Sequence, residues 1–279
     1  MIGNEGFRSA IFSSISSRLC SAWRGVYQCS PGETVPFHAN SINLQADWIA
    51  RQNRWERQFF RRNNHELCHS GFEKIMSDAY SWWKSVYEGV RPEDLPWFSP
   101  TPDADLSATL ERLGVTPGAA LDLGSGPGIH AIALAKGGWK VTAVDISPGA
   151  IRMASQFAVE AGVKIDFRTM DVLSFQPSPN SFDLVHDRGF LHTLDPSEWS
   201  RWTALAATAL KPSGIIIAKE FTYNPKRHFG PRGFTKSELQ NVLDDRFKID
   251  SLEQSTFRGP RFEAAAFLLV ARRESSKNV

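Results

Sequence analysis

The stretch LDLGSGPGIHAIALAKGGWKVTAVDIS, residues 121–147, carries glycines at alternate positions, Gly124, Gly126 and Gly128, and an acid, Asp145, 21 residues after the first of them. Glycines so spaced make a loop whose backbone lies flat against a ligand, because no Cβ stands in the way. N–H groups at the start of the helix that follows can point at a carboxylate. A carboxylate at Asp145 accepts two hydrogen bonds from a ribose diol, a geometry that dinucleotides share with other nucleosides. Asp171 follows IDFRTM, at the end of an expected strand, where an acid is placed to accept from an exocyclic adenine amine. VHDRGFLHTL adds His186, Asp187, Arg188 and His192. His192 is either a general base or a structural histidine in a short helix. Arg188 either pairs with Asp187, the simpler reading, or binds an acidic group on a substrate.

The glycine spacing separates two kinds of nucleotide. A dinucleotide fingerprint reads G-x-G-x-x-G, its third glycine letting helix and strand pack closely. Here that third position is Ile129, and the spacing is G-x-G-x-G. A phosphate-cradling loop also ends in Gly-Lys-Ser/Thr, and GIHA supplies none of that. Both observations speak against a dinucleotide-dependent oxidoreductase and for a nucleoside ligand without phosphate.

These residues need elements to hold them. AALDL, KVTAVDI, KIDFRTM, FDLVHD, GIIIAKEF, FKIDSLEQ and EAAAFLLVARR are the expected strands, with helical segments between the first five. Such alternation indicates a mostly parallel sheet covered on both faces. Only STFRGPR separates the last two runs, which predicts an antiparallel pair at one edge. Ser147 ahead of Pro148 caps one helix, which stops at Gly162. DPSEW opens another, ending near LKPSG; TKSE, Thr235 to Glu238, is a capping box. ADLSATLERLG predicts a short helix leading into the first strand.

LDLGSGPG, VTAVDIS, Asp171 with Val172 after the third strand, FDLVHDRG and LKPSG stand in the order found in class I S-adenosylmethionine-dependent methyltransferases, which residues 105 to 273 resemble. The resemblance implies a seven-stranded, mostly parallel Rossmann-like α/β sheet with a C-terminal antiparallel strand pair. It implies S-adenosyl-L-methionine as cofactor. Asp122 and the backbone from Gly124 through Ser125 and Gly126 to Gly128 would face the cofactor's methionine portion. Asp145, with Ile146 beside it, would hold the ribose, and Asp171 with Val172 would bracket the adenine. His186 and Asp187, just past the fourth strand, would lie near the sulfonium and the amino group. Where this family often has GCG, the chain has GSG. The Asn/Asp-Pro-Pro-Tyr/Phe motif of enzymes that methylate nucleic-acid bases or glutamine is absent.

D-R-G-x-x-H after the fourth strand is similar to small-molecule methyltransferases of the thiopurine and tellurite-resistance type. Their aromatic N-terminal segment closes over the cofactor, and WWKSVYEGVRPEDLPWFSP, residues 82–100, fits that description. Tyr87, Trp97 and Phe98 would form a lid, or simply an aromatic patch packed on the core. The expected division is an extension and helical cap, residues 1–104, ahead of a methyltransferase domain, residues 105–279. The expected activity is methyl transfer to a small-molecule sulfur, oxygen or nitrogen nucleophile. A non-catalytic cofactor-binding regulator is the alternative from another class.

Composition agrees with that choice. The 279 residues carry a formal net charge of +2, which does not by itself call for a polyanionic partner. No apolar run approaches the length needed to span a membrane. Cys20, Cys29 and Cys68 have no metal-type spacing, and an odd count argues against a disulfide framework, so a cytoplasmic setting is expected. Residues 1–30 are serine-rich with Arg8, Arg18 and Arg24, a composition shared by organelle transit peptides and by plain extensions. In NLQADWIARQNRWERQFFRR, Trp48, Trp55 and Phe59 share a helical face flanked by arginines. Such a helix either packs on its own protein or docks on RNA, and an RNA methyltransferase is the alternative it would serve.

Overall fold

Each apolar run of the sequence becomes a strand. In the computed structural model these are β1 (Ala119–Leu123), β2 (Lys140–Asp145), β3 (Asp166–Thr169), β4 (Phe182–Arg188), β5 (Leu210–Phe221), β6 (Phe247–Gly259) and β7 (Phe262–Arg273). The structure describes residues 79–225, 231–259 and 262–275. The transit-like segment, the three cysteines and the arginine-flanked helix lie outside these. The described residues belong to one unit of the chain, residues 67–279.

The strands form one sheet in the order β3-β2-β1-β4-β5-β7-β6. β1 pairs in parallel with β2 and β4, β2 with β3, and β4 with β5. β7 runs antiparallel to both β5 and β6. The strand order turns outward in both directions from β1 and β4, and the crevice at their carboxyl ends is where such sheets take ligands. Four strands are longer than the apolar runs, β4, β5, β6 and β7. β4 continues through His186, Asp187 and Arg188 rather than stopping before them, because β5 extends alongside and pairs Arg188 with Lys219. β6 runs on to Gly259, so STFRG belongs to the ladder with Phe262–Ala266.

Helices α1 (Ala79–Ser85), α2 (Ala104–Leu113), α3 (Ile129–Lys136), α4 (Pro148–Glu160), α5 (Trp199–Ala209) and α6 (Lys236–Val242) connect or precede the strands. Alternation along each strand sends neighbours to opposite faces. Leu121, Leu123, Val185 and Ile216 pack with Trp202 and Leu205 of α5. Ala120, Leu184, Ile215 and Ile217 pack with Leu106 of α2 and Leu134 of α3. Each fully buried leucine or isoleucine contributes about 1.5–3 kcal/mol.

The caps follow the sequence. Ser147 accepts from Ala150 N–H with Pro148 at the first turn of α4. Thr235 and Glu238 form the reciprocal capping box of α6. Asp195 caps a 3₁₀ turn, Pro196–Glu198, that leads into α5, and α5 gives way to β5 at Leu210. Among the described residues no helix is long and apolar enough to cross a membrane.

Candidate active site

The glycine loop links β1 to α3 at the carboxyl edge of the sheet. Its Ser125 N–H donates to Val144 O of β2 (3.1 Å), which pins the loop between two strands. Two glycines are required by their surroundings. A Cβ on Gly124 (φ 63°) would stand 2.6 Å from Phe190 Cβ, and one on Gly126 (φ 51°) would stand 3.1 Å from the Tyr87 hydroxyl. The start of α3, at Gly128, has no side-chain cap, so its first N–H groups are left for a ligand.

Asp145 closes β2 beside the loop. Its Oδ2 accepts from Gly126 N–H (2.8 Å) and its Oδ1 from Ser147 N–H (2.8 Å). Burial pushes its carboxyl up to about 6, against those backbone donors and helped by repulsion from Asp122. Each oxygen keeps a lone pair for a further donor. Ser147, not Asp145, is the helix cap.

Asp122 lies on β1 opposite His186 of β4. His186 Nδ1 donates to Asp122 Oδ1 (2.7 Å), and both side chains are buried. The other oxygen, Asp122 Oδ2, has no hydrogen-bond partner among the described residues, and neither has Ser125 Oγ. Two buried acceptors at one loop without donors are expensive unless a ligand supplies them.

Arg188 does not pair with Asp187. Consecutive residues of a strand face opposite ways, so Arg188 turns to the α2 face and Asp187 to the α5 face. Arg188 Nε donates to Asp103 Oδ2 (3.2 Å), and its guanidinium lies 4.7 Å from the Phe257 ring centre. Lys219, next to it on β5, donates to Asp103 Oδ2 (2.7 Å), Asp105 Oδ2 (2.8 Å) and Thr256 O (2.8 Å). Burial opposes ionisation of Asp103, yet the Lys219 and Arg188 charges hold its carboxyl below the ordinary value. His130 accepts from Asp103 N–H (2.9 Å) and stacks 5.3 Å from His186. Burial and the neighbouring His186 keep His130 well below the usual imidazole range.

On the opposite face Asp187 is fully buried. Its Oδ1 accepts from Phe190 N–H (2.8 Å) and Leu191 N–H (3.4 Å), and its Oδ2 from Trp202 Nε1 (2.8 Å). Its neighbour is Glu220 of β5, also fully buried. His192 sits in a 3₁₀ turn, Leu191–Thr193, with its Nδ1 2.8 Å from Glu220 Oε2. Its ring stacks on Phe221 at 4.4 Å and has a side-chain exposure of 5%. Burial drives Glu220 up to about 8 despite its donors, and burial with Glu220 beside it raises Asp187 well above the ordinary value.

The aromatic segment does meet the loop. Tyr87 packs its Cβ and backbone against Gly149 of α4 and its hydroxyl against Gly126. Trp97 Nε1 donates to that hydroxyl (2.9 Å). Burial and the Asp145 charge raise the Tyr87 phenol, so it stays neutral. Phe98 lies against Phe157 of α4, at 6.2 Å between rings. Asp171 stands two residues past the end of β3 and caps a 3₁₀ turn, Val172–Ser174; its Oδ1 accepts from Leu173 N–H (2.9 Å) and its Oδ2 from Ser174 Oγ (3.1 Å). Val172 is buried and Ile146 half-buried.

Asp103, His130, Phe190, Trp202, Lys219 and Glu220 join the site without having been singled out by motif. The sequence did carry one signal for Lys219 and Glu220: adjacent charges closing an apolar run, at the carboxyl end of a central strand.

A family model described as "Methyltransferase domain" matches residues 120–214. The chain is 31% identical to a probable thiol methyltransferase 2 of Arabidopsis thaliana over 177 residues, which cover 62% of this chain and 76% of that protein. It is 25% identical to a 2-heptyl-1-hydroxyquinolin-4(1H)-one methyltransferase of Mycobacteroides abscessus over 177 residues, 61% of this chain and 78% of that one. Its fold is similar to that of the N-methyltransferase NodS of Bradyrhizobium japonicum in complex with S-adenosyl-L-homocysteine. The TM-score is 0.57 at 19% identity, over 71% of this chain and 100% of that one.

Proposed function

The chain belongs to the class I S-adenosylmethionine-dependent methyltransferases, and from that premise we propose that it methylates a sulfur, oxygen or nitrogen nucleophile on a small molecule. When bound, the cofactor supplies a methyl group already activated on a positively charged sulfur. The chain's part is alignment and exclusion of water.

The residues present fit that cofactor. The carrying observation is the pair of buried acceptors without donors, Asp122 Oδ2 and Ser125 Oγ, at a loop whose glycines are held open. Asp122 takes the ammonium of the methionine portion, with His186 fixing its other oxygen. The uncapped start of α3 and the Gly124–Gly128 backbone receive the carboxylate. Asp145 accepts from the ribose hydroxyls. Ile146 and Val172 bracket the adenine, and Asp171 accepts from its amine. Tyr87, bonded to Trp97, covers the loop, and Phe98 anchors that cover on α4. Arg188 lines the acceptor side of the carboxyl edge. His192 accepts the proton of an acceptor that arrives protonated.

A small acceptor is supported by relatives named for a thiol and for a hydroxyquinolone, and by an aromatic cover over the loop. The test is transfer of labelled methyl from the cofactor into a panel of thiols, phenols, amines and RNA by the full chain. Labelling of a thiol, phenol or amine supports the reading. Labelling of RNA alone, or of nothing while the cofactor binds, contradicts it.

A further inference from the structure

Arg188 keeps most of its hydrogen-bonding capacity unused. A guanidinium carries five N–H donors. Its Nε donates to Asp103 Oδ2 (3.2 Å), and its two terminal nitrogens have no hydrogen-bond partner among the described residues. The side chain is only 14% exposed, and charged donors so withdrawn from water are costly to leave unmet. Its neighbours cannot meet them. Asp103 Oδ2 is shared with Lys219, and Asp103 Oδ1 accepts from Asp105 N–H at the start of α2. Lys219 differs from Arg188, because its three hydrogens all find acceptors, Asp103 Oδ2, Asp105 Oδ2 and Thr256 O.

The fork is also held in place. Phe257, 2% exposed, puts its ring centre 4.7 Å from the guanidinium carbon and packs edge-on against Phe221, 4.7 Å between rings. Such a contact attracts the cation without using up its hydrogen-bond donors. Arg188 ends β4 on the same side of the strand as His186, about 7 Å further toward the carboxyl edge. His186 fixes Asp122, the residue assigned to the cofactor's ammonium. A recess of about 10 Å³ adjoins the guanidinium, lined by His186, Arg188, Lys219, Asp103, Ile217 and Leu268. It has room for one water or one carboxylate oxygen.

Resting on the methyl-transfer reading, we propose that the methyl acceptor is a small carboxylic acid whose carboxylate is received by the terminal nitrogens of Arg188, with its nucleophile directed at the cofactor's methyl group. A planar carboxylate matches the guanidinium fork with two parallel hydrogen bonds. With Lys219 saturated, Arg188 is the cation of this cluster that has hydrogens left, which suits a singly charged acid better than a phosphate dianion. Propping Asp103 alone would need one N–H, and Lys219 already supplies it.

The experiment takes the full chain and compares acceptors that differ only in the acid: 3-mercapto-, 3-hydroxy- and 3-aminobenzoate, each against its benzamide. Wild type is expected to favour the acid of at least one pair by about 10- to 100-fold in kcat/KM, the scale of hydrogen bonds to a charged group. In Arg188→Gln that acid-to-amide ratio is expected to fall to about 1, chiefly through KM of the acid. Arg188→Lys keeps the charge without the fork and should fall between. The ratio cancels any general loss of activity, and binding of S-adenosylhomocysteine checks that each variant is folded. No preference for an acid in wild type, or a preference that survives in Arg188→Gln, overturns the proposal. If no compound is methylated while S-adenosylhomocysteine binds, the methyl-transfer reading fails. Calorimetric titration of benzoate into protein saturated with S-adenosylhomocysteine then decides the acid site by itself. Binding to wild type that is lost in Arg188→Gln supports it, and no binding to wild type, or equal binding to both, overturns it.

Discussion

Asp122 accepts a hydrogen bond from His186 across neighbouring parallel strands at 2.7 Å, and its second oxygen, buried, meets no donor among the described residues. The histidine fixes the carboxylate and uses half of it. The remaining half meets nothing that the described residues provide. Asp122→Asn keeps the shape and the His186 contact but removes the charge an ammonium needs. A hydrogen bond to a charged group contributes about 1.5–3 kcal/mol. Titration calorimetry should therefore show S-adenosylhomocysteine bound about 10- to 100-fold more weakly. Unchanged affinity would take the ammonium away from Asp122.

Asp145 should make cofactor binding depend on pH. Its folded-state carboxyl is raised to about 6 from 3.8. In the free protein, the stability this group contributes is complete below the unfolded value and is lost as pH rises through about 6. Binding has the opposite sense, because the ionised form is the stronger acceptor for ribose hydroxyls. Affinity for S-adenosylhomocysteine should weaken as pH falls below about 6, and near that pH binding should release a proton. Calorimetry in buffers of different ionisation enthalpy measures that release. Proton uptake, or no dependence between pH 5 and 7, would contradict the assignment.

Gly126 and Gly162 separate site from backbone strain. Both have positive φ, 51° and 69°. An alanine Cβ at Gly162 meets nothing within 4 Å, whereas at Gly126 it presses on the Tyr87 hydroxyl at 3.1 Å. Gly162→Ala should cost about 1 kcal/mol in denaturant unfolding and leave cofactor affinity alone. Gly126→Ala should add a loss of cofactor affinity of tenfold or more, because the loop or Tyr87 must shift. Equal binding by both variants would show that Tyr87 does not close the site.

The sheet was legible because its strands are buried on both faces and read as short apolar runs between helix signals, as in AALDL and KVTAVDIS. The glycine loop and Asp145 were legible because a local spacing carries them. Arg188 and Asp187 were paired by adjacency in sequence, which strand alternation forbids; once FDLVHDR is a strand, the two must face apart. The partners they do find could not be read in advance. Lys219 reaches Asp103 across 116 residues of chain and Asp187 meets Trp202 on a later helix. Such contacts follow from strand order and register, which composition does not specify.

The Lys219 cluster should matter for stability more than for chemistry. Lys219, 5% exposed, bonds Asp103 and Asp105 at once and so holds the start of α2 on the sheet. Removing one member of a buried ion pair leaves uncompensated charge and costs about 3–5 kcal/mol. Asp105 is a third exposed, which places Lys219→Met near the low end, about 3 kcal/mol by urea unfolding at pH 7. A variant as stable as wild type would mean that Arg188 alone suffices to hold Asp103.

The central claim is that a phosphate-free nucleoside sulfonium is held across the carboxyl edge of the sheet by Asp145. Calorimetric titration of wild type and Asp145→Ala, each with S-adenosylhomocysteine and with NAD+, tests it most directly. Binding of S-adenosylhomocysteine but not NAD+ to wild type is expected, with a loss of about 30-fold or more in Asp145→Ala, as befits two hydrogen bonds to a charged acceptor. Equal affinity of the two proteins for S-adenosylhomocysteine, or preference of the wild type for NAD+, would contradict it.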